Sequence, residues 1–95
     1  MSFSRFDIVA HADPQTLIRM LNYFAQLGLS PSRVNALDVG GSVTICIEQP
    51  GLDEQQARII AERMRSSVLV ETVRAHRGRH PLLPLSETID VLSAQ

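Results

Sequence analysis

Two adjacent glycines near the middle of the chain, Gly40 and Gly41, constrain the fold more than any other feature. They separate two segments with strand character, Arg33 to Val39 and Ser42 to Glu48, and a two-residue glycine loop is a typical connection of a β-hairpin. In the second segment every other residue from Val43 onward is apolar, which is the pattern of a strand with one buried face. The centre of the chain is therefore predicted to be a pair of adjacent antiparallel strands.

A strand and a helix are predicted before this hairpin. Apolar residues alternate from Phe6 to Ala10, which indicates a strand. Asp13 is suited to cap a helix and Pro14 to occupy its first position, where a backbone N–H is not needed. The amphipathic pattern that follows predicts about four helical turns, ending at Gly28.

A second helix and a last strand are predicted after the hairpin. Asp53 and Gln56 have the spacing of a capping box, so a helix is expected to begin there. On its surface Arg58 and Glu62 are four residues apart and are expected to pair. The segment from Val68 to Ala75 is rich in β-branched residues and is predicted to be a strand.

The resulting element order is that of the ferredoxin-like βαββαβ sandwich, an α+β fold. Its two helices are expected to cover one face of a four-stranded antiparallel sheet, with the first and third strands at the centre. The opposite face is expected to carry small, moderately polar residues, namely Val9, Thr44, Cys46 and Thr72. Such a face is rarely left bare, so we expect a partner chain there or along an edge strand.

Length and composition restrict the possible functions. A chain of 95 residues accommodates one domain. It has no lysine, which excludes Schiff-base lysines and the phosphate-loop lysine. The single cysteine allows no intramolecular disulfide, as is common in the cytoplasm. We also expect no signal peptide and no membrane span, because no segment approaches the roughly 20 apolar residues required.

Catalytic and metal sites have weak support. Cys46 would need a base beside it to act as a nucleophile, and only His11 is a candidate, so packing is the preferred interpretation of the thiol. His76 and His80 have helical metal-ligand spacing, but Gly78 lies between them and disfavours a helix. The sequence therefore predicts no catalytic residue, no metal and no cofactor.

A cluster of basic and imidazole side chains near the end of the chain is a candidate phosphate site; its members are Arg74, His76, Arg77, Arg79 and His80. RNA-recognition domains share the predicted topology, but they stack bases on aromatic residues that the third strand lacks here. Nucleic-acid binding through this arginine-rich tail is therefore kept only as a second alternative. We divide the chain into a domain, residues 1–76, and a C-terminal tail, residues 77–95, with a possible short helix from Ser86 to Leu92.

The segment at the start of the first predicted helix is a candidate ligand site. The Asp13-Pro14 junction would leave the free backbone N–H groups of the first helical turn exposed at the positive end of the helix dipole, where a small carboxylate could bind. A capping aspartate is also a common structural device, so the segment alone does not decide between the two roles.

The chain resembles the ACT domain family, and in particular the short small regulatory subunits of acetolactate synthase. The resemblance covers residues 3–76 and is carried by Asp13-Pro14-Gln15-Thr16-Leu17-Ile18-Arg19-Met20-Leu21, by Leu27-Gly28-Leu29 and by Val34-Asn35-Ala36. It implies the same fold and dimers joined side by side, with an amino-acid effector held between the loop after the first strand and the second strand of the partner. The residues that it assigns to ligand binding are Asp13, Pro14, Gln15, Thr16, Leu17, Val34, Asn35 and Ala36.

The function that this resemblance implies is regulatory and non-catalytic. We expect a cytoplasmic homodimer, or a small subunit docked on a large catalytic subunit such as that of acetolactate synthase in branched-chain amino-acid biosynthesis. Effector-binding members of the family carry a glycine where this chain has Thr16, which favours protein interaction over ligand binding. The alternative is a free-standing sensor of a small amino acid such as valine.

Overall fold

The computed structural model describes residues 2–78, which form six elements in the predicted order. They are β1 (Phe3–His11), α1 (Thr16–Ala25), β2 (Arg33–Val39), β3 (Ser42–Pro50), α2 (Glu54–Arg65) and β4 (Val70–Gly78). The strands form one antiparallel sheet in the order β2-β3-β1-β4. The α+β ferredoxin-like βαββαβ fold and the central position of the first and third strands are therefore confirmed.

The core lies between the sheet and the two helices. Phe6 and Ile8 alternate along β1 with residues of the opposite face, and both are fully buried. Phe24 of α1 meets Phe6 edge to face, with ring centroids 5.5 Å apart, an arrangement that favours the positive ring edge against the negative ring face. The helix α2 contributes a stripe of four buried residues, Ala57, Ile60, Ala61 and Met64.

The glycine turns that the sequence indicates are present. Gly40 and Gly41 both have positive φ, at 57° and 88°, as a two-residue hairpin loop of the primed type requires. After α1, Gly28 has a φ of 73°. There the N–H of Leu29 donates to the carbonyl of Phe24 and the N–H of Gly28 to that of Ala25, both at 2.9 Å. This Schellman-type turn reverses the chain at the predicted glycine, three residues after α1 ends at Ala25.

Three predicted boundaries and contacts are wrong. The helix α1 begins at Thr16, not directly after Asp13, and has only ten residues. The strand β4 begins at Val70 because the preceding residues form a turn, closed by the Val70 N–H donating to the carbonyl of Ser67 at 3.1 Å. On α2, Arg58 pairs with Glu54 at 3.7 Å and not with the predicted Glu62, since a pair four residues apart is more favourable when the acidic residue comes first in the chain.

The second half of the chain otherwise follows the predictions closely. The predicted capping box at Asp53 and Gln56 is present. The strand β4 continues to Gly78, so the first residues of the predicted tail belong to the sheet. Arg79, His80 and the predicted helix from Ser86 to Leu92 lie outside the described residues. Between residues 2 and 78, neither helix is long and apolar enough to cross a bilayer.

Candidate functional site

A cavity of about 350 Å³ lies where β1 ends and the chain turns into α1. Its walls come from that junction, from one side of β2 and from the start of β3; the lining residues are Ala12, Asp13, Pro14, Thr16, Leu17, Ala36, Asp38 and Val43. The volume falls in the lower part of the range typical of small-molecule sites. We call this space the junction cavity.

The junction is built around Asp13, which does not act as the predicted N-cap. Its carboxylate accepts the N–H of Gln15 at 2.8 Å, and its carbonyl accepts the N–H of Thr16 at 2.9 Å. An aspartate that bonds the backbone two residues on forms a turn of its own, and that turn competes with the helix. The helix consequently starts after the turn, with Gln15 as an N-cap whose side chain makes no capping bond.

Thr16 connects the start of α1 to the end of β1. Its side chain is 1% exposed, and its hydroxyl donates to the carbonyl of His11 at 2.7 Å. A glycine at this position would leave the carbonyl without that donor. Thr16 therefore fixes the geometry of the junction while also lining the junction cavity.

The strand β2 supplies the opposite wall through alternate residues. Ala36 pairs with Ile45, a fully buried core residue, so it lies on the helix side of the sheet. Asp38 is on the same side because strand side chains repeat every two residues. Asn35 pairs with Cys46 and lies on the opposite face, so the three consecutive residues of β2 do not share one face of the sheet.

The structure thus brings together most, but not all, of the residues assigned by resemblance. Those that line the junction cavity are Asp13, Pro14, Thr16, Leu17 and Ala36, whereas Gln15, Val34 and Asn35 do not. Sequence reasoning missed Asp38 and Val43. The alternation that places Ala36 also indicates Asp38, and Val43 is its partner across the hairpin.

The face of the sheet away from the helices is more charged than predicted. The register places Val9 between Thr44 and Thr72, as expected. Asp7 on the same face contacts Arg5 at 3.3 Å and His76 at 3.1 Å. The sequence pattern missed the contact of Asp7 with His76 because it depends on the pairing of β1 with β4, strands from opposite ends of the domain.

Cys46 has the environment of a structural thiol. It lies opposite Asp7, while His11 lies opposite Ser42 and near Glu71, at 3.8 Å. Burial, with further contributions from the charge and hydrogen bond of Asp7, raises the pKa of Cys46 to about 11. The thiol is therefore protonated near neutral pH and is a poor nucleophile.

The predicted basic cluster is divided in the described part of the chain. In the register of β1 and β4, Arg74 lies opposite Asp7 and His76 lies opposite Arg5, so both are on the face away from the helices. Arg77 pairs with Ser4 and lies on the other face. Within residues 2–78, no three His, Cys, Asp or Glu side chains are placed to hold a metal ion.

The fold and the junction cavity define a class of protein, a βαββαβ domain with a small concave site at the end of its central strand. A model of the ACT-like domain family matches residues 1–82. The chain belongs to this family of ACT-like domains. No curated protein sequence matches it.

Solved structures agree on the fold. The ACT domain from the GTP pyrophosphokinase of Chlorobium tepidum is similar, with a TM-score of 0.68 at 11% identity, over 78% of this chain and 96% of that one. A homoserine dehydrogenase from Thiobacillus denitrificans has a TM-score of 0.69 at 14% identity, over 81% of this chain and 17% of that one. The C-terminal domain of the MgtC protein from Mycobacterium tuberculosis has a TM-score of 0.66 at 10% identity, over 84% of this chain and 90% of that one.

Proposed function

We propose that this chain is a non-catalytic regulatory domain of amino-acid metabolism that binds a small ligand in the junction cavity and acts through another chain. The observation that carries the proposal is the position of the cavity. It lies on the segment from Asp13 to Leu17, where the family resemblance places the effector loop, and it also reaches Ala36 of β2. A volume of about 350 Å³ accommodates a molecule of the size of an amino acid.

The exposed edge of the sheet supports action through a second copy or a larger enzyme. All seven residues of β2 are exposed, and Leu37 and Val39 are exposed to 64% and 59%. The outer edge of such a strand can pair with a strand of another chain. Because β2 also forms a wall of the junction cavity, a chain that pairs along it lies beside the ligand.

Regulation would follow from the position of the ligand beside the exposed strand β2. A ligand that binds one state of association more tightly than the other shifts the balance between them by that difference in affinity. A homodimer is the simplest partner for this mechanism. A cytoplasmic location, where Cys46 stays reduced, belongs to the same proposal.

Sedimentation of the full chain, alone and with each of the twenty amino acids, tests this proposal. We expect a monomer–dimer equilibrium below about 100 μM that at least one amino acid shifts. Leu37→Lys should weaken dimerisation because it places a charge on the exposed strand, while Val68→Lys is the matched control. Val68 is also apolar and 90% exposed, but it lies in the turn before β4. A monomer under all conditions, also in the presence of a candidate large subunit, would contradict the proposal.

The finer assignment is a small subunit of acetolactate synthase, and it rests on the motif from Asp13 to Leu21. If it is correct, the chain raises the activity of the large subunit. An assay of the large subunit with and without this chain decides the question. Valine binding to the chain with no effect on the large subunit would favour the free-standing sensor, which the presence of a cavity within a single chain supports.

A further inference from the structure

The residues that line the junction cavity include two aspartates, Asp13 and Asp38, and no basic residue. The other lining residues are uncharged; they are Ala12, Pro14, Thr16, Leu17, Ala36 and Val43. The charge of the wall therefore favours a positive group on any ligand.

The carboxylate of Asp13 is already used by the protein. It accepts the N–H of Gln15 at 2.8 Å and lies beside the first turn of α1. The positive end of the helix dipole thus has an anion supplied by the chain itself. A ligand carboxylate placed at the same point would meet the negative charge of Asp13, so the sequence-based expectation of a carboxylate site here is disfavoured.

Asp38 is the carboxylate left for a ligand. It lies on the helix side of β2 opposite Val43. Among the residues that the structure describes, its side chain has no ion pair and no hydrogen bond. The imidazole of His11, at the end of β1, is directed to Glu71 at 3.8 Å.

We propose that the junction cavity recognises its ligand through an ammonium group held by Asp38, with a short aliphatic chain packed against Leu17, Ala36 and Val43. The ligand class is that of small aliphatic primary amines, including amino acids that present their ammonium group to Asp38. Small carboxylic acids and phosphates without an amine are excluded by charge. This inference rests on the proposed function, because it assumes that the junction cavity is the ligand site.

Calorimetry of the full chain with three probes of the same branched skeleton tests the inference. Isobutylamine carries only the ammonium group, isovalerate only the carboxylate, and valine both. We expect isobutylamine to bind and isovalerate to bind at least about tenfold more weakly, as for loss of a charge-assisted hydrogen bond.

Two variants that each remove one negative charge test whether Asp38 is the residue that binds the amine. Asp38→Asn should weaken isobutylamine binding by about tenfold or more. Glu62→Gln removes the same charge from the exposed surface of α2, outside the cavity. It should change the affinity for isobutylamine by less than about twofold. Circular dichroism of both variants checks that they remain folded, as expected for exposed positions.

The outcomes separate the two proposals. If isovalerate binds as tightly as isobutylamine, or if Asp38→Asn leaves amine binding unchanged, the ammonium assignment is overturned while a ligand-binding function survives. If neither the three probes nor any of the twenty amino acids binds, both proposals fail.

Discussion

Each helix is preceded by an aspartate, but Asp53 caps α2 whereas Asp13 does not cap α1. At α2, Asp53 accepts the N–H of Gln56 at 2.7 Å, and the Gln56 side chain accepts the N–H of Asp53 at 3.1 Å. These reciprocal bonds satisfy backbone donors at the terminus from within the chain. At α1, Asp13 forms a turn ahead of the helix, and Gln15 makes no side-chain cap.

The residue three positions after each aspartate explains the difference. Gln56 reaches back to the cap residue, whereas Thr16 directs its hydroxyl to the carbonyl of His11 in β1. The start of α2 is closed by its own side chains, whereas the start of α1 lines the junction cavity. The helix α1 also has no acidic residue in its first turn and no basic residue in its last. Its stability must therefore come mainly from packing.

The largest effect that tests this contrast is expected at Phe24. Phe24→Ala removes a fully buried ring that packs on Phe6, and we expect the free energy of unfolding to fall by about 3–5 kcal/mol. Urea denaturation measures the loss. Asn22→Ala, at an exposed position of the same helix, is the control and should change stability by less than about 0.5 kcal/mol. A loss at Phe24 no larger than that from removing the cap of α2 would show that packing does not dominate α1.

The two aspartates allow a direct comparison. Asp53→Ala breaks the capping box and should lower the free energy of unfolding by about 1 kcal/mol. Asp13→Ala breaks one exposed bond to a turn and should lower it by about 0.5 kcal/mol. The same denaturation experiment measures both. Equal losses would mean that Asp13 stabilises its helix as a true cap does, contrary to the structure.

Thr16→Val tests whether the junction is held by the hydroxyl or by packing. The substitution keeps the shape of a buried β-branched side chain but removes the bond to the carbonyl of His11. We expect a loss of up to about 1 kcal/mol; the carbonyl also accepts the N–H of Asp13, which moderates the effect. Thr44→Val, on the exposed face of β3, is the control and should be nearly neutral. If the two variants are equally stable, the hydroxyl bond contributes nothing.

The same contrast shows what the sequence could and could not predict. The cap of α2 is a local structure, since the side chains of Asp53 and Gln56 each accept the backbone N–H of the other, and it was predicted correctly. Asp13 followed by Pro14 is compatible with either a cap or a turn, and the choice depends on contacts of Thr16 with β1. The fold could be predicted for the same reason, because the apolar periodicity that identifies each helix or strand is also local to that element.

The site was predicted less completely because it depends on which face each strand residue occupies. The resemblance assigned Val34, Asn35 and Ala36 as a consecutive run, although only alternate residues of a strand share a face. The unassigned Asp38 belongs to the cavity face, whereas Asn35 does not. The ion pair of Asp7 with His76 required knowledge of the strand register, which no local pattern contains.

The smallest effect is expected from the charges that α2 has and α1 lacks. Glu54→Gln removes a negative charge from the first turn of α2 and its pair with Arg58, and should lower the free energy of unfolding by about 0.3–0.5 kcal/mol. Glu62→Gln, on the same helix away from its start, is the control. Because both partners are exposed, the difference between the variants should shrink as NaCl is raised from 0.01 M to about 1 M. A loss independent of salt would trace the effect to the intrinsic helical preference of residue 54, and the two helix termini would then differ only in their hydrogen bonds.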